Sequence, residues 1–492
     1  MLLSELTLLP FTGADVDISG ITEDSRKVKS GFLFIATPGV KLDGRAFIGD
    51  AIGKGAVAVL LPEGSQTCAS VTTITTPDIR KATSALAAAF HPRQPETLVA
   101  VTGTSGKTST AQFAREIWQA LGHQSASIGT LGLVTGAGTH YGSLTTPDAI
   151  TLHHLLDDCA GQGITHVAME ASSHGIELGR LDQARLKAGA FTNLSRDHLD
   201  YHETLEAYFA AKTRLFSTLL PQGAAAVLNA DVPQFSVLSD IARQRGLKIV
   251  SYGKNAADLR LIEATPCSGG QILRLEIFRK SVEVLLPVSG DFQAWNALCA
   301  AGLVIGSGSP AEAAIEALAK VSGVPGRLQF IGLSQKGGEV YVDYAHKPDA
   351  LENVLRALRA HVAAHEGARL GVVFGCGGNR DRGKRPIMGD IAQRQADWVI
   401  VTDDNPRNEQ PADIRAEILA GCADKSNVKE IGDRAEAIAA GINRLNAHDV
   451  VVIAGKGHEP GQIVGDKVLP FDDAEEARRV LGILQKDIKY GI

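Results

Sequence analysis

The chain has 492 residues, which at roughly 150 per domain points to about three domains rather than one core. Its 49 Lys plus Arg against 55 Asp plus Glu leave a net charge of -6, so it carries no general basic footprint for a nucleic-acid backbone, and a polyanionic ligand would have to be held by local groups. Hydrophobic residues at 44% and charged residues at 21% exclude a disordered or fibrous chain.

In chain order, the first 90 residues alternate strand-like runs at 32–36 and 56–61 with helical ones and end in an alanine-rich helix over 82–90. Glu5 in MLLSELTLLPF stands where a secretory leader wants positive charge, so no secretion is expected. HPRQP at 91–95 reads as a linker. A second series follows, with strands predicted over 98–102, 165–169 and 188–192 and a helix over 204–219. The apolar stretch around 295–305 is broken by Asn296 and Gly302 and falls short of the ~20 residues of a membrane span. After Val324-Pro-Gly a third series places strands at 339–342, 370–374, 398–401 and 449–453, with a helix over 350–361. The expected architecture is α/β in three domains: 1–95, small and mixed; 96–326, a P-loop ATPase-like parallel sheet; and 327–492, Rossmann-like. Six cysteines without a CxxC suit reduced, mostly buried thiols and a cytosolic setting.

The strand at 98–102 runs into Gly103-Thr-Ser-Gly106-Lys107-Thr108 and a helix from Ser109. Backbone N–H groups and a helix N-terminus thus converge where a phosphate would sit. Lys107 would neutralise phosphate charge and Thr108 would bind magnesium; this is a GxxGK[ST] loop, shorter than the Walker form. Parallel strands end on one edge, so Glu170, just past 165–169, and His198, past 188–192, should meet this loop as ligands of a hard cation. Each has a plainer reading, as a strand-end carboxylate and a hydrogen-bonded loop histidine. On the 204–219 helix, Leu205, Tyr208, Phe209, Leu215, Phe216 and Leu219 form an apolar stripe that contains Lys212. Such a lysine either snorkels to solvent or, desolvated, reacts as a neutral amine, for instance with carbon dioxide to form a carbamate.

Ten ordered motifs span nearly the whole chain: Asp24-Ser-Arg with Gly39 and Asp43-Gly44, GTSGKTS at 103–109, Thr145-Thr-Pro147, MEASSH at 169–174, TNLSRDHLDYH at 192–202, Pro325-Gly-Arg327, DYAHKPD at 343–349, GCGGNRDRGKRP at 375–386, DNPR at 404–407 and GKGHE at 455–459. With them the chain resembles the Mur ligases, and among these the branch that adds meso-2,6-diaminopimelate to UDP-N-acetylmuramoyl-L-alanyl-D-glutamate. The resemblance implies a cytoplasmic enzyme of peptidoglycan precursor synthesis, expected as a monomer without membrane insertion or nucleic-acid partner. It implies ATP on Gly103, Thr104, Ser105, Gly106, Lys107, Thr108 and Ser109, with Asn296, Arg327 and Asp343 around the nucleoside. Magnesium falls to Thr108, Glu170 and His198. Lys212 matches a carbamylated position that serves a metal, which favours the carbamate over the snorkel; Lys107, Lys212 and His198 are the catalytic candidates. The UDP-sugar falls to Ser25, Asp43, Thr145, Thr146, Ser172 and Arg180, and the amino acid to Arg380, Asp404, Asn405, Pro406, Arg407, Gly455 and Glu459. Gln293 and Leu178 depart from the residues usual in the family. Taken singly, Arg180, Arg327 and Arg380 read as exposed arginines, and Asp343 with His346 reads equally as a capping pair before the Pro348 helix.

The implied chemistry activates a carboxylate with ATP as an acyl phosphate, which an amine then attacks with loss of phosphate. The second step needs a neutral amine and exclusion of water, so an amino-acid domain closing over the nucleotide domain is expected. Competing readings are a lysine-adding homologue, folylpolyglutamate synthase, which lacks the first-domain motifs and DNPR, and a nucleotide-dependent switch. A GTPase switch would need an Asn-Lys-x-Asp guanine reader, and the sequence has none.

Overall fold

The structure, a computed structural model, describes residues 1–39, 43–66, 68, 70–140, 142, 144–195, 199–267, 269–363 and 365–483. The chain forms two compact units, Met1–Arg260 with Leu298–Ala314, and Leu261–Ala297 with Ile315–Ile492.

The first unit contains two sheets. The N-terminal sheet has five strands in the order Phe11–Thr12, Thr72–Thr76, Ala56–Pro62, Phe32–Ile35, Gly20–Thr22. All pairs in it are parallel except the Phe11–Thr12 edge. Leu33, Ile35, Leu60 and Ile74 fill one face and Phe34, Val59 and Leu61 the other, which is why these strands read as unbroken apolar runs.

The second sheet is built around Thr97–Thr102, whose six residues are all buried. His166–Glu170 and Leu186–Phe191 flank it, both parallel, with Ser125–Gly129 beyond the first and Ala225–Asn229 and Lys248–Gly253 beyond the second. Leu98, Ala100, Met169, Phe191 and Phe216 belong to one continuous apolar core. Because the strands run in parallel, Thr102, Glu170 and Phe191 finish on the same edge, as the sequence led us to expect.

In the second unit, Gly270–Ile277 and Lys280–Leu286 pair as an antiparallel hairpin. A six-stranded sheet follows in the order Gln329–Leu333, Glu339–Asp343, Val450–Ala454, Leu370–Phe374, Trp398–Val401, Val428–Glu430. Only the Gln329–Leu333 edge is antiparallel. One face packs Leu355, Phe374 and Met388, the other Val373, Trp398 and Ile453, so helices cover both. The crossover order brings Asp343, Gly375, the 403–407 loop and Gly455 to the carboxyl edge.

Candidate functional site

Gly103 starts the phosphate loop with φ +148°, and a Cβ there would lie 1.8 Å from the Thr192 hydroxyl, so only glycine fits against the neighbouring strand end. That strand end supports the loop. Thr104 N–H donates to the Asn193 carbonyl at 2.9 Å, Ser105 N–H to Asn193 Oδ1 at 2.9 Å, and the Thr192 hydroxyl to the Ser105 carbonyl at 2.7 Å. Gly106 is left-handed at φ +86° and leads into the helix Lys107–Ala120, whose N-terminus faces the loop. Lys107 Nζ folds back on the carbonyls of Gly103 and Thr104, both at 2.9 Å.

Lys212 lies on the helix Leu205–Arg214 with 1% of its surface exposed, so it does not snorkel. Its amine donates to the Gly103 carbonyl at 2.9 Å and sits 4.2 Å from the centre of the Tyr208 ring. The apolar stripe is buried or partly buried except at its first residue. Leu205 is exposed because it occupies the first turn after the Thr204 N-cap, and Leu215–Leu219 form a π-helical turn, which shifts the face that follows.

Glu170 is 2% exposed, with Oε1 accepting from Thr130 N–H at 2.8 Å and Oε2 from the Thr130 hydroxyl at 3.3 Å. A Cβ on Gly129 would fall 2.1 Å from this carboxylate, so glycine there makes room for it. Glu170 and Thr108 are oxygen donors, the chemistry of a hard cation such as magnesium rather than a thiophilic one. His198 lies outside the described residues, and among the described residues no group of three or more His, Cys, Asp or Glu is placed to hold a metal.

The residues expected at the sugar also carry local structure. Ser172 caps the short helix Ser173–Glu177 through Gly175 N–H and accepts from the Thr146 hydroxyl at 3.0 Å. Arg180 donates to the Thr146 carbonyl at 2.8 Å; burial lowers its pKa, opposed by Asp148 and Glu23. Thr145 meets the Thr130 hydroxyl at 3.2 Å. In the N-terminal sheet's loops, Asp43 caps Gly44–Phe47 and pairs with Arg45 at 2.6 Å, while Ser25 is buried. A cavity of about 810 Å³ opens at the amino ends of Thr97–Thr102 and Leu186–Phe191, beside Glu96 and Lys187, the opposite edge from the phosphate loop.

In the second unit, Asp343 ends its strand buried, accepting from Leu328 N–H at 2.6 Å and Ala345 N–H at 2.7 Å. Burial pushes its carboxyl up to about 6 against the opposing pull of Arg327. It therefore ties two loops together and does not cap the Pro348 helix, whose N-cap is Lys347. His346 instead turns its Nδ1 to the Tyr344 carbonyl at 2.9 Å. Arg327 lies over the Tyr344 ring, 4.9 Å from its centre. Gln293, noted in the sequence only as a departure, accepts from Asn296 Nδ2 at 2.9 Å and reaches the Arg327 carbonyl at 3.4 Å.

Asp404 and Asn405 are buried, Arg380 is exposed, and Arg407 has a left-handed backbone at φ +51°. The hairpin of Gly461–Val464 and Lys467–Pro470 holds that conformation: Arg407 N–H donates to the Ile463 carbonyl at 3.0 Å, and Gly465 N–H to the Arg407 carbonyl at 2.8 Å. The Arg407 guanidinium rests on the Gly378 carbonyl at 2.9 Å. Asn405 is fixed by three partners. Its Oδ1 accepts from Lys456 Nζ and Ile463 N–H, both at 2.9 Å, and its Nδ2 donates to Glu459 at 2.9 Å, so its amide is committed to the loop's own scaffold. Thr192, Asn193, Gln293 and Lys456 were missed as supporting residues, although all four stand inside or beside the motifs.

Three family models match the chain: "Mur ligase family, catalytic domain" over 17–97, "Mur ligase middle domain" over 101–304 and "Mur ligase, glutamate ligase domain" over 326–457. The chain belongs to the Mur ligase family. Among curated Mur ligases it is similar to the UDP-N-acetylmuramoyl-L-alanyl-D-glutamate--2,6-diaminopimelate ligase of Agrobacterium fabrum (strain C58 / ATCC 33970), 49% identical over 478 residues covering 97% of this chain and 96% of that one. The protein of the same name from Rhizobium meliloti (strain 1021) is 50% identical over 469 residues, covering 95% of each. A solved structure of a UDP-N-acetylmuramoyl-L-alanyl-D-glutamate--2,6-diaminopimelate ligase matches with TM-score 0.75 at 36% identity, covering 98% of this Mur ligase and 99% of that chain.

Proposed function

We propose that this Mur ligase is the ATP-dependent, ADP-forming enzyme that adds meso-2,6-diaminopimelate to UDP-N-acetylmuramoyl-L-alanyl-D-glutamate in peptidoglycan precursor synthesis. The observation that carries the reading is the near-50% identity, end to end, to ligases of that name. Lysine as the acceptor is disfavoured by Arg407, whose guanidinium suits a carboxylate and would meet only a like charge on lysine.

In this reading the glutamate carboxylate of the UDP-linked dipeptide attacks the terminal phosphorus of ATP and ADP leaves. The acceptor amine then attacks the acyl carbon, phosphate leaves, and the amine proton is lost. Gly103 to Ser109 cradle the phosphates through backbone N–H groups, and Lys107 swings from the Gly103 and Thr104 carbonyls to neutralise charge on the transferring group. Asn296, Arg327 and Asp343 serve the nucleoside. Magnesium, held by Thr108, Glu170 and His198, would offset charge on the phosphate oxygens. A carbamate on Lys212 would add an anion beside that set. Ser25, Asp43, Thr145, Thr146, Ser172 and Arg180 would hold the nucleotide sugar, and Arg380, the 404–407 loop, Gly455 and Glu459 the amino acid. The corresponding modules are 1–95, 96–326 and 327–492. Because ATP and a UDP-linked precursor are intracellular substrates, we assign the enzyme to the cytoplasm, acting as a monomer.

Omitting substrates one at a time tests this. ADP should form at full rate only with ATP, the UDP-linked dipeptide and diaminopimelate together, and Lys107→Ala should abolish it. ADP release that ignores the acceptor, as in a nucleotide switch, or a kcat/KM for lysine equal to that for diaminopimelate, would overturn the assignment.

A further inference from the structure

Lys456 is the only residue of GKGHE whose side chain is a cation fixed under the acceptor loop, and its side chain is 0% exposed. It follows the strand Val450–Ala454 through Gly455 at φ +120° and precedes Gly457 at φ +57°, two conformations that turn the chain back beneath residues 404–407. Its ammonium donates to Asn405 Oδ1 at 2.9 Å and lies 3.5 Å from Asp404 Oδ1 and 3.7 Å from Glu459 Oε2. The three groups around it are thus three of those assigned to the amino acid. A second buried cation supports the same loops from below: Arg434 pairs with Asp473 at 2.7 Å and donates to the Asp403 carbonyl at 3.2 Å and the Ala454 carbonyl at 3.0 Å.

The charges of this arrangement bear on specificity. Asp404 and Glu459 contribute two negative charges and Lys456 one positive, leaving the cluster at one net negative charge, which a single ammonium balances. Arg407, alongside, balances a single carboxylate. The distal end of diaminopimelate carries one of each. We propose that Lys456 is a positioning residue that sets the charge of the acceptor site, and so makes it match a zwitterionic distal end rather than a lone ammonium. The inference rests on the diaminopimelate reading above and deepens it. Without Lys456 the cluster holds two uncompensated carboxylates and gains affinity for a purely cationic end, while Asn405 and Glu459 lose their common anchor.

The test uses the full-length enzyme with saturating ATP and UDP-linked dipeptide, measuring kcat/KM for diaminopimelate and for lysine. Lys456→Met should raise the KM for diaminopimelate by about tenfold, leave the KM for ATP within about twofold, and move the diaminopimelate-to-lysine ratio toward lysine by about tenfold. Glu459→Gln changes the cluster charge in the opposite sense and should move the ratio toward diaminopimelate. Lys456→Arg, which keeps the charge, should keep the ratio even where its bulk raises both KM values. If Lys456→Met does not fold, Glu459→Gln and Lys456→Arg decide the matter alone. Ratios that ignore the sign of the charge change, or a Lys456→Met enzyme with unchanged KM for diaminopimelate, overturn the assignment. Wild-type enzyme that does not accept diaminopimelate overturns the proposed function itself, a separate and visible outcome.

Discussion

The Lys212 amine donates to the carbonyl of Gly103 at 2.9 Å, joining the helix Leu205–Arg214 to the first residue of the phosphate loop. A side chain at Gly103 would collide with the Thr192 hydroxyl, so glycine is what lets the loop pass between Thr192 and this amine. The amine is thus held at the loop, buried and reactive in principle, and its N–H can keep the same bond after carbon dioxide adds to the nitrogen with loss of a proton.

Lys212→Ala is expected to lower kcat for ADP formation by at least about a hundredfold, because the carbamate would serve the magnesium that offsets charge on the transferring phosphate. A short carboxylate such as formate or acetate should restore part of it. Carbon-13 bicarbonate should label wild-type enzyme and leave Lys212→Ala unlabelled; a fully active Lys212→Ala enzyme would remove the lysine from the chemistry.

Arg407→Ala should weaken diaminopimelate far more than ATP. A charge-assisted hydrogen bond is worth about 1.5 to 3 kcal/mol, so the KM for diaminopimelate should rise by roughly 10- to 100-fold with the KM for ATP little changed. Since the guanidinium also rests on Gly378, Arg407→Lys should recover little, as an ammonium cannot form the paired bonds. Equal losses for ATP and diaminopimelate would mean that the loop, not the guanidinium, had been damaged.

Asp343 has a folded-state pKa of about 6, raised from 3.8 by burial. The folded state therefore binds more protons between these values. The stability contributed by its protonated form is fully present below about pH 4 and is lost as pH rises through 6, about 3 kcal/mol in all. Asp343→Asn should lack this component, so the wild-type minus variant stability difference should fall across that window in denaturant titrations. A pH-independent difference would show that Arg327 and the two backbone donors keep the carboxyl ionised throughout.

Removing Arg434 leaves Asp473 charged and buried, both side chains being 0% exposed. Arg434→Leu should cost about 3 to 5 kcal/mol, and the double variant with Asp473→Leu should regain much of that loss. Thermal unfolding of the single and double variants checks it; a double variant less stable than either single would contradict the account.

Local chemistry written in consecutive residues is legible in the sequence by itself. The strands at 98–102, 339–342, 370–374 and 398–401 appear where continuous apolar runs predicted them, because a parallel strand covered on both faces needs apolar residues at every position. GTSGKTS announces a phosphate loop because strand, glycines, lysine and helix start lie in one short segment. Tertiary structure alone decided which way Lys212 points: periodicity places a lysine on an apolar face, but burial against Gly103 depends on a loop more than a hundred residues away. The same holds for Asp343, which its sequence neighbours suggest as a helix cap and which the fold gives to Leu328 and Ala345. It holds again for Asn405, whose amide partners Lys456, Glu459 and Ile463 lie more than fifty residues further along the chain. Sequence spacing encodes which groups share a helix face or a turn, whereas the partners of a buried polar group come from distant strands, and only their packing assigns them.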